Sequence, residues 1–128
     1  MKVTVRYILI SDDVRIENNQ KLMLIGLYGP EIHLQTLPAV IPLAFTAGIV
    51  IDGEGKFRLS GKLKRSGSDK ELLTFGAKVA AKKKGTGYVP FKFPCVNLEE
   101  AGTYEVSLGV EGQDEQLTEL FEVKKATV

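Results

Sequence analysis

The sequence predicts an all-β protein: an immunoglobulin-like sandwich of two antiparallel sheets with seven to nine strands, with a small β-barrel as the alternative. Apolar side chains alternate with polar ones over several stretches, which is the period of a strand that buries one face. Turn-forming residues interrupt these stretches about every 10–20 residues, a spacing typical of sandwiches. The length of 128 residues, with 44% hydrophobic and 26% charged residues, fits a single domain over residues 1–128.

The alternation is strictest in residues 56–64, 71–83 and 103–111, where every second side chain is apolar. The Ala and Lys content of residues 71–83 also suits a helix, but Phe75-Gly76 and the alternation favour a strand. The full strand prediction covers residues 2–10, 21–29, 31–36, 43–52, 56–65, 71–83, 88–93, 102–111 and 118–125.

Three further segments have particular positions. Residues 43–51 are apolar on both faces, which predicts a strand in the middle of a sheet whose second face is also covered. Residues 89–94 contain two prolines and are therefore expected at a sheet edge, because proline cannot donate a ladder hydrogen bond. Gly85-Thr86-Gly87 is expected to form a turn.

The expected cellular location is inferred from the residues that interrupt the apolar stretches and from the cysteine content. Arg6 breaks the first of them, so we expect a strand there and no export signal. The longest apolar stretch, residues 37–51, contains two prolines and is shorter than the roughly 20 residues of a membrane-spanning helix. A single cysteine, Cys95, excludes an internal disulfide and is typical of a reducing cytoplasm. We therefore expect a cytoplasmic protein with no membrane partner.

Residues 98–106, LEEAGTYEV, resemble the tyrosine corner of immunoglobulin-like sandwiches. In that motif a tyrosine near the start of a late strand bonds back to the backbone upstream. The resemblance implies structural roles: Tyr104 makes the bond, Gly102 permits the bend and Leu98 lies beneath it. The alternative is that Tyr104 is an ordinary buried tyrosine.

Residues 7–28 read YILISDDVRIENNQKLMLIGLY, and residues 37–43 read LPAVIPL. This pattern resembles the opening of an uncharacterised family of short bacterial β-proteins. The specific likeness covers about residues 5–45, and the remainder matches only in its strand pattern. The resemblance implies a small bacterial β-protein and no particular reaction.

A polar loop over residues 11–20 holds the densest set of functional groups. Calcium takes oxygen ligands of this kind, but the spacing differs from the twelve-residue calcium loop and a cation lies within the set. The favoured interpretation is an ion pair that fixes a turn, with no metal bound. The residues of this loop are Asp12, Asp13, Arg15, Glu17, Asn18 and Asn19.

His33 and Cys95 are the only histidine and the only cysteine, and their sequence positions do not indicate a shared site. Zinc catalysis usually needs three protein ligands, which one histidine does not supply. Cys95 follows Pro94 and is expected to be a small buried residue that ends a strand. We therefore expect no catalytic residues and no cofactor.

The charges are divided along the chain although the net charge is only +1. Residues 56–92 contain eleven Lys and Arg against two acidic residues, and residues 93–123 contain eight Asp and Glu and no Lys or Arg. This division permits a basic face for phosphate or nucleic acid, but pairing of basic with acidic strands is favoured. The basic residues singled out are Lys62, Lys64, Lys78, Lys82, Lys83 and Lys84.

The sequence favours a non-enzymatic interaction or assembly module of a bacterium or phage, with an unknown protein partner or a homo-oligomer. Its expected contact surfaces are the charged strand faces and the loop of residues 11–20. The alternative is a sandwich that binds a small anionic or carbohydrate ligand through an end loop. Nucleic acid is not expected to be a partner.

Overall fold

The computed structural model describes residues 1–126, and its backbone is all β. Among these residues, no helix is long and apolar enough to cross a membrane. The nine strands are β1 (Val3–Ile16), β2 (Leu22–Leu27), β3 (Glu31–Leu34), β4 (Ala39–Ile51), β5 (Gly55–Arg65), β6 (Glu71–Ala81), β7 (Gly85–Leu98), β8 (Gly102–Val110) and β9 (Gln116–Lys125).

The strands form two sheets, which confirms the predicted two-sheet sandwich. The first sheet has the order β2-β1-β4-β7, and the second has the order β3-β9-β8-β5-β6. All neighbours are antiparallel except β3 and β9, which run parallel. The parallel pair departs from the purely antiparallel prediction, because the alternation of side chains specifies the faces of a strand and not its direction.

The core lies between the sheets and is built by the predicted alternation. On β5 and β8, Leu59, Leu63, Val106 and Leu108 are all 0% exposed on the inward face. Lys62 and Glu105, on the opposite face, are partly exposed. Burial of each inward side chain stabilises the fold by roughly 1.5–3 kcal/mol. This regular inward face is the physical reason for the period of two in the sequence.

Aromatic side chains join the two sheets. The ring of Phe75 on β6 lies 4.8 Å from that of Phe91 and 5.1 Å from that of Phe93, both on β7. A side chain at Gly61 would overlap Phe75, since its Cβ would lie only 2.5 Å from the ring. Residues 71–81 are thus a strand as predicted. Phe75 lies on the face of this strand that packs against the other sheet.

Strand β4 is buried on both faces, as its apolar pattern predicts. It lies between β1 and β7, and Ala44 and Thr46 are 0% exposed although they point away from the core between the sheets. Leu22 and Leu24 of β2 line the same groove as residues of β1 and β7, so the β1–β2 hairpin lies over this second face. We infer that the hairpin is the cover that shields β4 from water.

Strand β7 is at the edge of its sheet, which confirms the position predicted from its prolines. The turn predicted at residues 85–87 is wrong. Gly85-Thr86-Gly87 pairs with residues 49–51 of β4 and begins the strand, so the turn lies at residues 82–84 instead. The glycines extend β7 because the long strand β4 offers backbone partners along its whole length.

Cys95 is exposed, and the prediction of a buried residue that ends the strand is also wrong. The register between β4 and β7 shifts at this point, so that residues 94 and 95 together oppose one residue of β4. Such a bulge changes which side chains point inward. Phe91 is buried before it, Val96 and Leu98 are buried after it, and Cys95 is left on the outside.

Candidate interaction surface

The predicted polar loop is mostly strand. Strand β1 continues to Ile16, where Asp13 pairs with Ile25 and Arg15 pairs with Met23 across the β1–β2 ladder. Only residues 17–21 form the connection, closed by hydrogen bonds between Glu17 and the backbone of residues 20 and 21. The prediction of a loop from residue 11 is therefore wrong, because polar residues form a strand readily where β2 supplies the backbone partners.

Two carboxylates of the hairpin, Asp12 and Asp13, have partners, and those of Asp13 include a lysine from β7. Asp13 accepts hydrogen bonds from Lys92 at 2.8 Å and from the backbone N–H of Val14 at 2.9 Å, with Arg15 at 3.4 Å. The bond from Lys92 is the main reason that the pKa of Asp13 lies below its ordinary value. These contacts fit the ion-pair interpretation of the segment.

Asp12 points to the other side of β1 and accepts a hydrogen bond from the hydroxyl of Tyr28. Burial and this carboxylate raise the pKa of Tyr28 to about 12. Gly26 faces Asp12 from β2 with a φ of +68°, and a side chain there would overlap the carboxylate. In residues 1–126, no group of three or more His, Cys, Asp or Glu is placed to hold a metal ion.

The basic residues divide into two groups. On β5, Lys64 lies 3.3 Å from Glu105 of β8, and Lys62 lies 4.0 Å from Glu71 of β6. Strand β5 lies between β6 and β8, and each of these neighbours contributes one glutamate opposite a lysine of β5. Lys62 and Lys64 are therefore engaged within the sheet.

The second group is free of ion pairs among the described residues. Lys78 lies on β6, opposite Arg58 on β5, and residues 82–84 form the exposed turn from β6 to β7. The ion pairs of residues 1–126 include none of these side chains. Lys78, Lys82, Lys83 and Lys84 thus form a cationic end of the sandwich, separate from Lys62 and Lys64.

The β7–β8 connection has the geometry of a tyrosine corner. The hydroxyl of Tyr104 donates to the backbone oxygen of Glu100 at 2.6 Å, and the side chain is only 2% exposed. Its ring stacks on Phe121 at 5.7 Å between ring centres. Leu98, 0% exposed, ends β7, and Gly102 begins β8 with a φ of +143°. The burial of Tyr104 and Leu98 fits the structural roles implied for these three residues.

His33 and Cys95 are not brought together. His33 is exposed on β3 of the second sheet, 3.9 Å from Glu31, whereas Cys95 is exposed on β7 of the first sheet. A thiol–imidazole pair needs the two groups within hydrogen-bond reach. The placement of the two residues on different sheets gives such a pair no support.

An apolar row on β2 was missed by the sequence analysis. Met23, Ile25 and Leu27 alternate along the strand and are 45%, 38% and 60% exposed. They share one face of the hairpin, since their spacing is the strand period. The signal was present in the sequence, because Leu22–Leu27 carries apolar residues on both faces and no charge.

Two tyrosines line a groove beside the hairpin. Tyr7 lies over Gly48, where a side chain would overlap its ring, and Tyr88 is opposite Gly48 on β7. A hydrogen bond with Tyr88 is the main cause that raises the pKa of Tyr7. The groove has a volume of about 520 Å³ and is also lined by Leu22 and Leu24.

A family model matches residues 6–121, from the first strand into the ninth, and its description is Family of unknown function (DUF6941). The chain belongs to this family. The match confirms the prediction of an uncharacterised family and extends it, because the resemblance seen in the sequence covered only about residues 5–45 of this DUF6941 chain. A search of curated proteins gave no match.

Solved structures of a beta-glucosidase from Listeria innocua resemble the DUF6941 chain. In complex with glucose, one aligns with a TM-score of 0.55 at 17% identity and covers 74% of this chain. In complex with gluconolactone, another aligns with a TM-score of 0.54 at 14% identity and covers 96%. The chain spans only 15% and 16% of the length of these structures. At this identity the likeness shows a shared fold alone.

Proposed function

We propose that this chain is a non-enzymatic protein-interaction or assembly domain that binds its partner through the free edge of β2. The carrying observation is that β2, at the edge of its sheet, contains six residues without a charge or a proline. An exposed sheet edge presents unpaired N–H and C=O groups to which another strand can add. Strand addition gives affinity through the backbone, and alternate side chains give specificity.

The contrast with the other three edges of the described sheets supports this choice. The β7 edge contains Pro90, Lys92 and Pro94, which hinder strand addition. The β3 edge is only four residues long and contains Glu31 and His33. The β6 edge, the third, carries a charge near each end. Such protection is the usual way to keep an edge from pairing, and β2 lacks it.

The exposed side chains of β2 add to the edge. Apolar surface is removed from water when a partner covers Met23, Ile25 and Leu27, at about 25 cal/mol per Å². The nearby Tyr7 and Tyr88, 40% and 61% exposed, extend the apolar area across the groove. Exposed aromatic and Met side chains of this kind are enriched in protein interfaces.

Site-specific photo-crosslinking tests the proposal. A photoreactive amino acid replaces Ile25 in the full chain expressed in host cells, and the matched control replaces Leu120, which is 54% exposed on β9 of the other sheet. We expect one discrete protein adduct at position 25, with its partner segment mapped by mass spectrometry, and no such adduct at position 120. Equal labelling at both positions, or none at position 25, would refute binding through β2.

A second candidate function is the binding of a small anionic or carbohydrate ligand through an end loop. The turn at residues 82–84 favours the anionic form, because its three lysines have no ion-pair partner among residues 1–126. Titration with inorganic phosphate, followed by amide chemical shifts, tests it. Saturable shifts confined to residues 78–86 would support this function, and their absence at millimolar phosphate would reject it.

We also propose that the sandwich is immunoglobulin-like. In the first sheet β1, β4 and β7 are neighbours, and in the second β9, β8, β5 and β6 follow one another. This is the order of strands A, B, E and of strands G, F, C, C′ in such domains, with β2 and β3 inserted after the first strand. The bond from Tyr104 to Glu100 then falls at the E–F corner, where the tyrosine corner belongs.

The proposed setting is the cytoplasm of a bacterium or of a phage-infected cell. The exposed, unpaired thiol of Cys95 supports a reducing compartment, since an accessible free cysteine oxidises readily outside one. We propose a protein rather than nucleic acid as the partner because Lys62 and Lys64 are engaged by carboxylates, so that the free lysines among those singled out are confined to Lys78 and the turn at residues 82–84. Contact with a phosphate backbone needs such charges free along one surface.

A further inference from the structure

The edge of β2 is complementary to itself. When two identical strands pair antiparallel, a twofold axis perpendicular to the sheet relates them, and each side chain stays on its own face. The outer face of the hairpin carries Met23, Ile25 and Leu27, and its inner face carries Leu22 and Leu24. Residues that meet directly are then either both on the outer face or both on the inner face. On β2 both sets are apolar, so either face of the new ladder would join apolar residues.

We propose that the partner at the β2 edge is a second copy of this chain, which pairs antiparallel with the first and doubles the four-stranded sheet. This inference rests on the proposed function and names its partner. Each copy covers the free edge of the other, so the contact closes as a dimer and leaves no β2 edge exposed. A contact between β2 and a different edge of a second copy would leave edges free and grow into a filament.

The backbone of β2 indicates where the axis lies. Gly26 adopts a φ of +68° and interrupts the regular ladder with β1, so the extended part of the strand is residues 22–25. An axis beside Leu24 places Leu24 opposite its own copy and Met23 opposite Ile25 of the second copy. This register pairs Leu22 with Gly26 at each end of the ladder, and near its centre it brings together two exposed apolar side chains, Met23 and Ile25, on the outer face.

The charges around the strand permit this arrangement. Lys21 is the nearest charged residue before β2, and in this register it lies opposite Leu27 of the second copy. The two Lys21 side chains are then at opposite ends of the new ladder, and no like charges face each other. Like charges that lie directly opposite destabilise a strand pair, and self-pairing of β2 avoids them.

The edges of the same chain also disfavour other self-contacts. Pro90 and Pro94 remove two backbone donors from β7. Glu71 and Lys78 place charges along β6, and Glu31 lies on the short β3. Among the edges of the described sheets, β2 is therefore the one best suited to pair with its own copy.

Sedimentation equilibrium of the purified full chain tests the inference over a range of concentrations. We expect the wild-type chain to approach twice its 14.0 kDa mass. Ile25→Lys should weaken dimerisation by at least about tenfold, because it replaces both apolar contacts between Ile25 and Met23 across the new ladder with contacts of a charged side chain. The matched control, Leu120→Lys, changes an exposed apolar residue on the other sheet and should leave the dimer intact.

A disulfide test examines the register without relying on a disruptive variant. In a Cys95→Ser background, Leu24→Cys should form an intermolecular disulfide under mild oxidation, since the twofold axis places the two sulfurs together. Leu120→Cys in the same background should form none. A dimer that survives Ile25→Lys, with no disulfide at position 24, would overturn pairing through β2.

The outcome also separates this inference from the proposed function. A wild-type chain that stays at 14.0 kDa at high concentration rejects the second copy as partner. If position 25 then crosslinks to another protein, binding through β2 stands with a different partner. If position 25 gives no adduct either, both proposals are rejected.

Discussion

Replacing Tyr104 with phenylalanine removes one hydroxyl and leaves the buried ring stacked on Phe121. The lost hydrogen bond is the 2.6 Å contact with the backbone oxygen of Glu100. A neutral hydrogen bond of this kind contributes about 0.5–1.5 kcal/mol net, and an acceptor left unpaired adds to the loss. Because Glu100 is exposed, water can reach its backbone, so we expect a total of about 1 kcal/mol.

Urea unfolding followed by circular dichroism measures this loss. With an m value of about 2 kcal/mol per M, the midpoint of Tyr104→Phe should fall by about 0.5 M. The matched control is Tyr88→Phe, which removes the hydroxyl that bonds with Tyr7 from a side chain that is 61% exposed, where water replaces the lost partner. Surface changes of this kind are usually worth less than about 0.5 kcal/mol. If the two variants unfold at the same midpoint, the hydroxyl of Tyr104 does not secure the corner and the reasoning is wrong.

Three further variants test other parts of the structure. Phe45→Ala should lower the free energy of unfolding by about 3–5 kcal/mol, measured with urea, because the side chain is 0% exposed in the core. The wild-type chain should lose stability as the pH rises from 10 to about 12, since the folded state holds the proton of Tyr28 more tightly than the unfolded state does; Tyr28→Phe should lose less in thermal melts over this range. Lys92→Gln should raise the pKa of Asp13 towards its ordinary value, as measured by NMR titration of the carboxyl carbon, because the bond from Lys92 is the main cause of the depression.

The sequence was informative wherever one face of a strand meets the core. Leu59, Leu63 and their neighbours on β8 follow a period of two because the first sheet packs on that face alone. The apolar residues 43–51 predicted burial on both faces, and the prolines of β7 predicted an edge. In each case the pattern reports solvent exposure, which a single strand can specify by itself.

The failures lie where the outcome depends on a neighbouring strand. Cys95 is exposed because a shift in register against β4 changes the inward face, and nothing in residues 94–96 specifies that shift. Asp13 and Arg15 lie in a strand because β2 pairs with them. Pairing of basic with acidic strands was expected. The partner of Lys64, Glu105, could be named only once β5 and β8 were known to be neighbours.

The hairpin that covers β4 has more apolar surface than its structural task requires. Leu22 and Leu24 line the groove on the second face of the sheet, together with Tyr7 and Tyr88. Polar residues on the opposite face of β2 would serve that task equally well and would protect the edge. Met23, Ile25 and Leu27 occupy that face instead, at 38–60% exposure. The exposed parts of these side chains are the apolar surface that the proposed pairing of two β2 edges would cover.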